Sequence, residues 1–222
     1  MKRRVVVITG ANRGIGLELA QHYSRIGDHV IGVCRQTSEE LKAAAARVIE
    51  HVDVTSDESV ARLAEALAGE RIDLLINNAG LLQENELGCI DFDSLRAQME
   101  VNAYGPLRVT EALMLLIPSG GKVANISSVL GSIARNDFGA RYGYRASKAA
   151  LNAFGKSLAV DLKPRGIAVA QLHPGYVQTG MTKGGGEINT TESVAGLTAR
   201  IDALNLENTG SFWHQRGEAL PW

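Results

Sequence analysis

The chain has 222 residues, 45% hydrophobic and 21% charged, and its 23 Lys and Arg face 24 Asp and Glu for a formal net charge of −1. At ~100–200 residues per domain, this length fits one large α/β domain and is too great for a disulfide-stapled mini-protein, while the composition excludes disorder and collagen-like repeats. Beyond Lys2-Arg3-Arg4 there is no basic cluster, so no footprint for a nucleic-acid backbone or an anionic membrane is expected.

In chain order, runs rich in Val and Ile predict strands over Arg4–Thr9, Asp28–Cys34, Val48–Val52, Ile72–Asn77, Lys122–Ser127, Ile167–Leu172 and Ser211–His214. Several are apolar on successive residues, as in Val5-Val6-Val7-Ile8 and Leu74-Leu75-Ile76, the pattern of a parallel sheet covered on both faces. Helical stretches alternate with them. Val60, Leu63, Ala64 and Leu67 share one face, with Thr55, Ser56 and Asp57 as cap candidates. Longer helices are expected from about Phe92 to Leu116 and from about Tyr144 to Leu162, each closed by a Pro- and Gly-containing segment. The alternation predicts βαβ units in one mostly parallel seven-stranded α/β sheet, undivided by any linker or repeat. Gly184-Gly185-Gly186, within 176–190, marks a mobile loop.

The first strand is closed by Gly10 after about five residues, too short for a membrane span or a signal-peptide core. Cys34 and Cys89 match no metal or redox spacing, and the five histidines lack ligand spacing. A cytoplasmic protein without disulfides or metal is expected.

Chemistry begins where that strand empties into Thr9-Gly10-Ala11-Asn12-Arg13-Gly14-Ile15-Gly16, followed by helix-compatible residues. Glycines there permit a tight turn and close approach of backbone to ligand, and free N–H groups at a helix start attract a pyrophosphate. Tyr144 is the one tyrosine with a lysine, Lys148, four residues later, so both lie on one helix face. An ammonium near the phenol would favour its ionised form, which matters because an unperturbed tyrosine is a poor acid or base at neutral pH.

The T-G-x-x-x-G-x-G spacing, Asp53-Val54 after the third strand, Asn77-Asn78-Ala79-Gly80 closing the fourth, Asn102, the Ser127-Ser128 segment, Tyr144-x-x-x-Lys148 and Pro174-Gly175-Tyr176-Val177-Gln178-Thr179 together resemble the short-chain dehydrogenase/reductase family. The resemblance implies a single Rossmann-type domain, a doubly wound parallel sheet with helices on both faces. It implies a dinucleotide held by Gly10, Asn12, Arg13, Gly14, Ile15, Gly16, Arg35, Asp53, Val54, Asn78, Ala79, Gly80, Tyr144, Lys148, Pro174, Gly175, Val177 and Thr179. Its implied catalytic set is Asn102, Ser128, Tyr144 and Lys148, with Ser127 the neighbouring alternative to Ser128. Hydride from NADPH would reduce an aldehyde or ketone while Ser128 polarises the oxygen, Tyr144 donates the proton and Asn102 holds a relay water. No acid follows the second strand, and Arg35 and Arg13 could meet a 2′-phosphate, so NADP(H) is expected over NAD(H).

Tyr144 stands sixteen positions after Ser128, a little more than the family's usual gap, and the tail after Thr179 is short. The tail resembles the branch of sniffer-type carbonyl reductases and C-factor-like proteins. That branch leaves a second reading, a dinucleotide-binding regulatory or signalling protein with little turnover; a nucleotide-sugar epimerase is a weaker third, because no substantial carboxy-terminal substrate domain is present. Residues 180–190, with Met181, would cover a small-molecule substrate, His173 would be strand-end packing, and a homo-oligomer, most simply a dimer, is expected.

Overall fold

The structure, a computed structural model, describes residues 3–222. Seven parallel strands form one sheet in the order β3-β2-β1-β4-β5-β6-β7: β1 Val5–Thr9, β2 His29–Val33, β3 Arg47–Ile49, β4 Leu74–Asn77, β5 Lys122–Ile126, β6 Ala168–His173 and β7 Ser211–His214. The order reverses between β1 and β4, paired through Val6 with Leu74 and Ile8 with Ile76, and a crevice opens at the carboxyl ends of strands that part company there.

Successive residues of the central strands point to opposite faces, so each face has its own core. Val6 and Ile8 join Leu19 and Tyr23 of α1 (Gly14–Arg25), Leu41 of α2 (Glu39–Ala44), and Leu197 and Ile201 of α7 (Thr190–Ala203). Val7 faces the other way, toward Val60 and Leu63 of α3 (Asp57–Ala66), Val109 and Leu113 of α5 (Gly105–Leu113), and Leu162 of α6 (Tyr142–Leu162). Ser56 caps α3, accepting from the Ser59 amide at 3.2 Å, and the face of Val60, Leu63 and Leu67 lies buried on the sheet as its spacing requires.

Three segments depart from expectation. The third strand ends at Ile49, before the expected Val52, where His51 takes a left-handed backbone, φ 61°, that breaks the regular ladder, although the amides of His51 and Val52 still donate to the carbonyls of Arg35 and Cys34 at 3.1 Å each. The helix expected over 92–116 is α4 (Phe92–Met99), a π-helical turn over Glu100–Tyr104, then α5 and a 3₁₀ turn over Met114–Leu116. Pro106 has no N–H to give to Asn102, and Gly105 instead donates to Glu100, widening that turn. Within 176–190, expected as a mobile loop, residues 177–188 form a hydrogen-bonded double turn: Thr182 Oγ1 donates to the Val177 carbonyl at 2.8 Å, and Gln178 N donates to the Ile188 carbonyl at 2.9 Å.

Candidate active site

A cleft of about 730 Å³ lies at the carboxyl edge of the sheet, over the point where the strand order reverses. Its floor is the glycine turn between β1 and α1. A Cβ on Gly16 would stand 2.3 Å from the Gly10 carbonyl oxygen and 2.4 Å from Asn78 Nδ2, so no side chain fits between turn and strand end. Gly10 adopts φ 64° with Ala79 backbone against it. Asn78 binds the turn to β4, donating from Nδ2 to the carbonyls of Thr9 and Gly10 at 3.0 Å each, while the Thr9 hydroxyl accepts from the amides of Asn78 and Ala79. No side chain caps α1, and its first turn carries no acid, which leaves its N–H groups open to an anion. The donor set and the tight cradle therefore fit a dinucleotide pyrophosphate.

Among the candidate binding residues, Gly10, Asn12, Arg13, Gly14, Ile15, Gly16, Arg35, Asp53, Val54, Asn78, Ala79, Gly80, Tyr144, Lys148, Pro174 and Thr179 line this one cleft. Gly175 and Val177 do not. The Val177 carbonyl is taken by Thr182, and Gly175, at φ 88°, turns against Ile188. Asp53 keeps its carboxylate on the Thr55 amide at 2.9 Å and hydroxyl at 2.8 Å, contacts that, with the charges of Arg35 and Arg108, hold it below the usual carboxylate range despite partial burial.

The reacting end is built by β5 and α6. Gly131 allows α6 to approach the segment after β5, since a Cβ there would lie 2.7 Å from the Lys148 carbonyl carbon. Ser128, unlike Tyr144 and Lys148, is not among the cleft-lining residues; its hydroxyl accepts from the Leu130 amide at 3.1 Å and acts on the Tyr144 phenol from behind the lining, whereas Ser127 lines the cleft but donates its hydroxyl to Asn152 Oδ1 at 2.6 Å. Lys148 Nζ donates to the Ile126 carbonyl at 2.7 Å and sits 5.8 Å from the centre of the Tyr144 ring.

The electrostatics correct one expectation. Burial pushes the Tyr144 phenol up to about 12, outweighing the Ser128 hydrogen bond and the charge of Arg141, both of which pull it down. The same burial pushes the Lys148 ammonium down to about 8. Desolvation thus exceeds the expected Lys-to-Tyr stabilisation, and the phenol stays protonated at neutral pH.

Asn102 has its side chain fully engaged by protein groups, while its carbonyl lacks the helical donor that Pro106 cannot supply. It is fully buried in the π-helical turn, outside the cleft lining; its Oδ1 accepts from the Leu81 amide and its Nδ2 donates to the Leu81 carbonyl, both at 2.7 Å, and to Ser147 Oγ at 3.0 Å. His173 sits at the end of β6, edge-on to His214 at 4.8 Å, and burial drives it down to about 3. Met181 reaches the cleft, as expected of a wall residue. Sequence reasoning missed Thr9, Val33, Cys34, Gln36, Val52, Leu81, Val101, Ile126 and Gly180 as cleft residues: the apolar ones at or near strand ends read as core until the sheet edge is located, and the others carry no motif of their own. Among the described residues no cluster of three or more His, Cys, Asp or Glu could hold a metal, and no helix is long and apolar enough to cross a membrane.

The family model for short chain dehydrogenase matches residues 4–198. A 1-hydroxy-2-glutathionyl-2-methyl-3-butene dehydrogenase of Rhodococcus sp. (strain AD45) is 40% identical over 223 residues, covering 98% of this chain and 99% of that protein. The C-signal protein of Myxococcus xanthus is 41% identical over 154 residues, 68% of this chain and 93% of that one. A solved carbonyl reductase from Pseudomonas aeruginosa PAO1 in complex with NADP superposes with a TM-score of 0.87 at 34% identity, covering all of both chains. With the glycine cradle, the Ser, Tyr and Lys constellation and these similarities in agreement, this chain belongs to the short-chain dehydrogenase/reductase family of oxidoreductases.

Proposed function

We propose that the protein is an NADPH-dependent reductase of an aldehyde or ketone. The observation that carries this reading is that the phenol of Tyr144 and the glycine cradle open onto the same cleft. Gly10–Gly16 would hold the pyrophosphate, Asp53 and Val54 the adenine side, Asn78–Gly80 the central ribose, and Pro174, Thr179 and Lys148 the nicotinamide end. Arg13 and Arg35 line the cleft with no acid after β2 to repel a 2′-phosphate, which favours NADP(H), the cofactor of the P. aeruginosa relative. Bound there, the nicotinamide supplies hydride.

The chain's own residues do the rest. Ser128 Oγ donates to the substrate oxygen as negative charge builds on it, and Tyr144 Oη gives its proton to that oxygen. The phenol carries this proton at neutral pH, and its transfer is eased by whatever lowers the cost of the phenolate left behind. Lys148, anchored on Ile126, keeps an ammonium beside the phenol, where it eases the charge left after the proton departs. The turn over 179–182, with Met181, would cover the substrate.

Consumption of NADPH is measured against a panel of aldehydes, ketones and diketones. Turnover of at least one of them is expected, and Tyr144→Phe should lower it by ~10²–10⁴-fold while NADPH affinity changes little. The likeness to C-signal favours a second reading, a cofactor-binding regulatory protein with little turnover. Tight NADPH binding with no carbonyl reduced would select it.

A further inference from the structure

Asn102 and Gln98 stand four residues apart on one face of the helix run from α4 into its π-helical turn, and both are fully buried. Each reads one residue of the extended segment that leaves β4 and reads it twice. Asn102 takes the amide and carbonyl of Leu81. Gln98 takes those of Gln83: Oε1 accepts from the Gln83 amide at 3.1 Å and Nε2 donates to its carbonyl at 3.2 Å. Residues 81 and 83 are alternate positions, so two amide side chains do for one edge of this segment what a neighbouring strand would do. Leu81 is itself a wall of the cleft.

Gln98 has a second neighbour. Its Nε2 lies 3.1 Å from Asn85 Oδ1, and a Cβ on Gly143 would stand 2.6 Å from Nε2 and 2.9 Å from Asn85 Oδ1. Gly143 directly precedes Tyr144 at the start of α6. The same corner is tied again where the Arg141 amide donates to the Asn85 carbonyl at 2.8 Å and its guanidinium meets Glu84. Ala140 and Arg141 both hold left-handed backbone, φ 53° and 51°, an arrangement that persists only where neighbours over-determine it.

We infer that Gln98 is a positioning residue: its amide keys the cleft wall over 81–85 to the first turn of α6 and so fixes where the Tyr144 phenol stands. Gly143 is part of the lock, since any side chain there would displace the amide. The inference rests on the reductase reading for its turnover arm and is independent of it for its exchange arm.

The test uses the full-length protein. Amide exchange is followed by NMR at Gln83, whose N–H goes to Gln98, and at Arg145, whose N–H goes to the Arg141 carbonyl in the first turn of α6. Gln98→Leu should speed exchange at both sites and lower kcat by about tenfold, the equivalent of ~1.4 kcal/mol, with NADPH affinity unchanged. Gly143→Ala should cost kcat in the native background and add little in a Gln98→Ala background, the non-additivity expected of two groups in contact. Faster exchange at Gln83 with Arg145 and kcat unaffected would overturn the inference, as would additive costs or loss of NADPH binding together with turnover, the mark of a general folding defect. If the native protein reduces no carbonyl, the reductase reading fails by itself, and exchange at Arg145 then decides the positioning role.

Discussion

At Lys148 function and stability pull apart. The ammonium is buried with the Ile126 carbonyl as its hydrogen-bond partner, and burial holds it near 8, below the 10.5 of an exposed lysine. Between those values the unfolded chain binds the proton that the folded chain has shed, so stability rises with pH across that window and the full penalty applies below it. Lys148→Met should therefore unfold at a higher temperature than the native protein at pH 7, and the gap should close as pH is raised from about 8 to about 10. Calorimetry across that range checks the sign; a Met variant less stable at pH 7 would show that the hydrogen bond outweighs desolvation. The arginines of the proposed phosphate pocket behave differently, being exposed and free to follow a ligand. Arg13→Ala combined with Arg35→Ala should raise the KM for NADPH by more than tenfold and that for NADH by far less, since each guanidinium meeting a phosphate contributes a charge-assisted bond of ~1.5–3 kcal/mol. Equal effects on the two cofactors would remove the charge argument for NADP(H).

Between elements, the placement of α6 depends on a row of buried amides crossing the sheet. Asn77 Nδ2 on β4 donates to Asn125 Oδ1 on β5 at 2.9 Å, and Asn125 Nδ2 donates to Gln171 Oε1 on β6 at 3.1 Å; all three residues occupy one register line. Gly155 lets α6 lie directly on that row, for a Cβ there would be 2.0 Å from Gln171 Oε1. Because α6 carries Tyr144 and Lys148 on the same rod, the row sets the depth of the site. Gly155→Ala should destabilise by ~1–3 kcal/mol through overpacking, despite alanine's better helix propensity, and Gln171→Ala in that background should recover part of the loss. Urea denaturation of the four proteins reads the coupling, and a stabilising Gly155→Ala would mean that the helix moves out at no cost.

For the whole molecule, the expectation of a dimer looks to the helix layer on the α4–α6 side. Tyr104 and Phe154 pair their rings 6.0 Å apart there with Tyr104 41% exposed, and Val160 on α6 is 62% exposed. Sedimentation velocity should report a dimer that Phe154→Asp converts to a monomer; a native monomer would end that proposal. The chain order of strands, the two-faced burial of the sheet, the glycine cradle and the Tyr144 to Lys148 spacing were all legible in the sequence, because each is a local pattern with one physical reading. The break at Pro106, the turn at His51 and the Gln98 and Asn102 clamps were not legible. A buried amide reads the same in sequence whatever it binds, and only the approach of distant segments gives it a partner. The balance of charge at Tyr144 is of this second kind. Spacing alone put an ammonium beside a phenol, but whether attraction or desolvation prevails depends on how much water the surrounding fold removes, and the packed structure decided for desolvation.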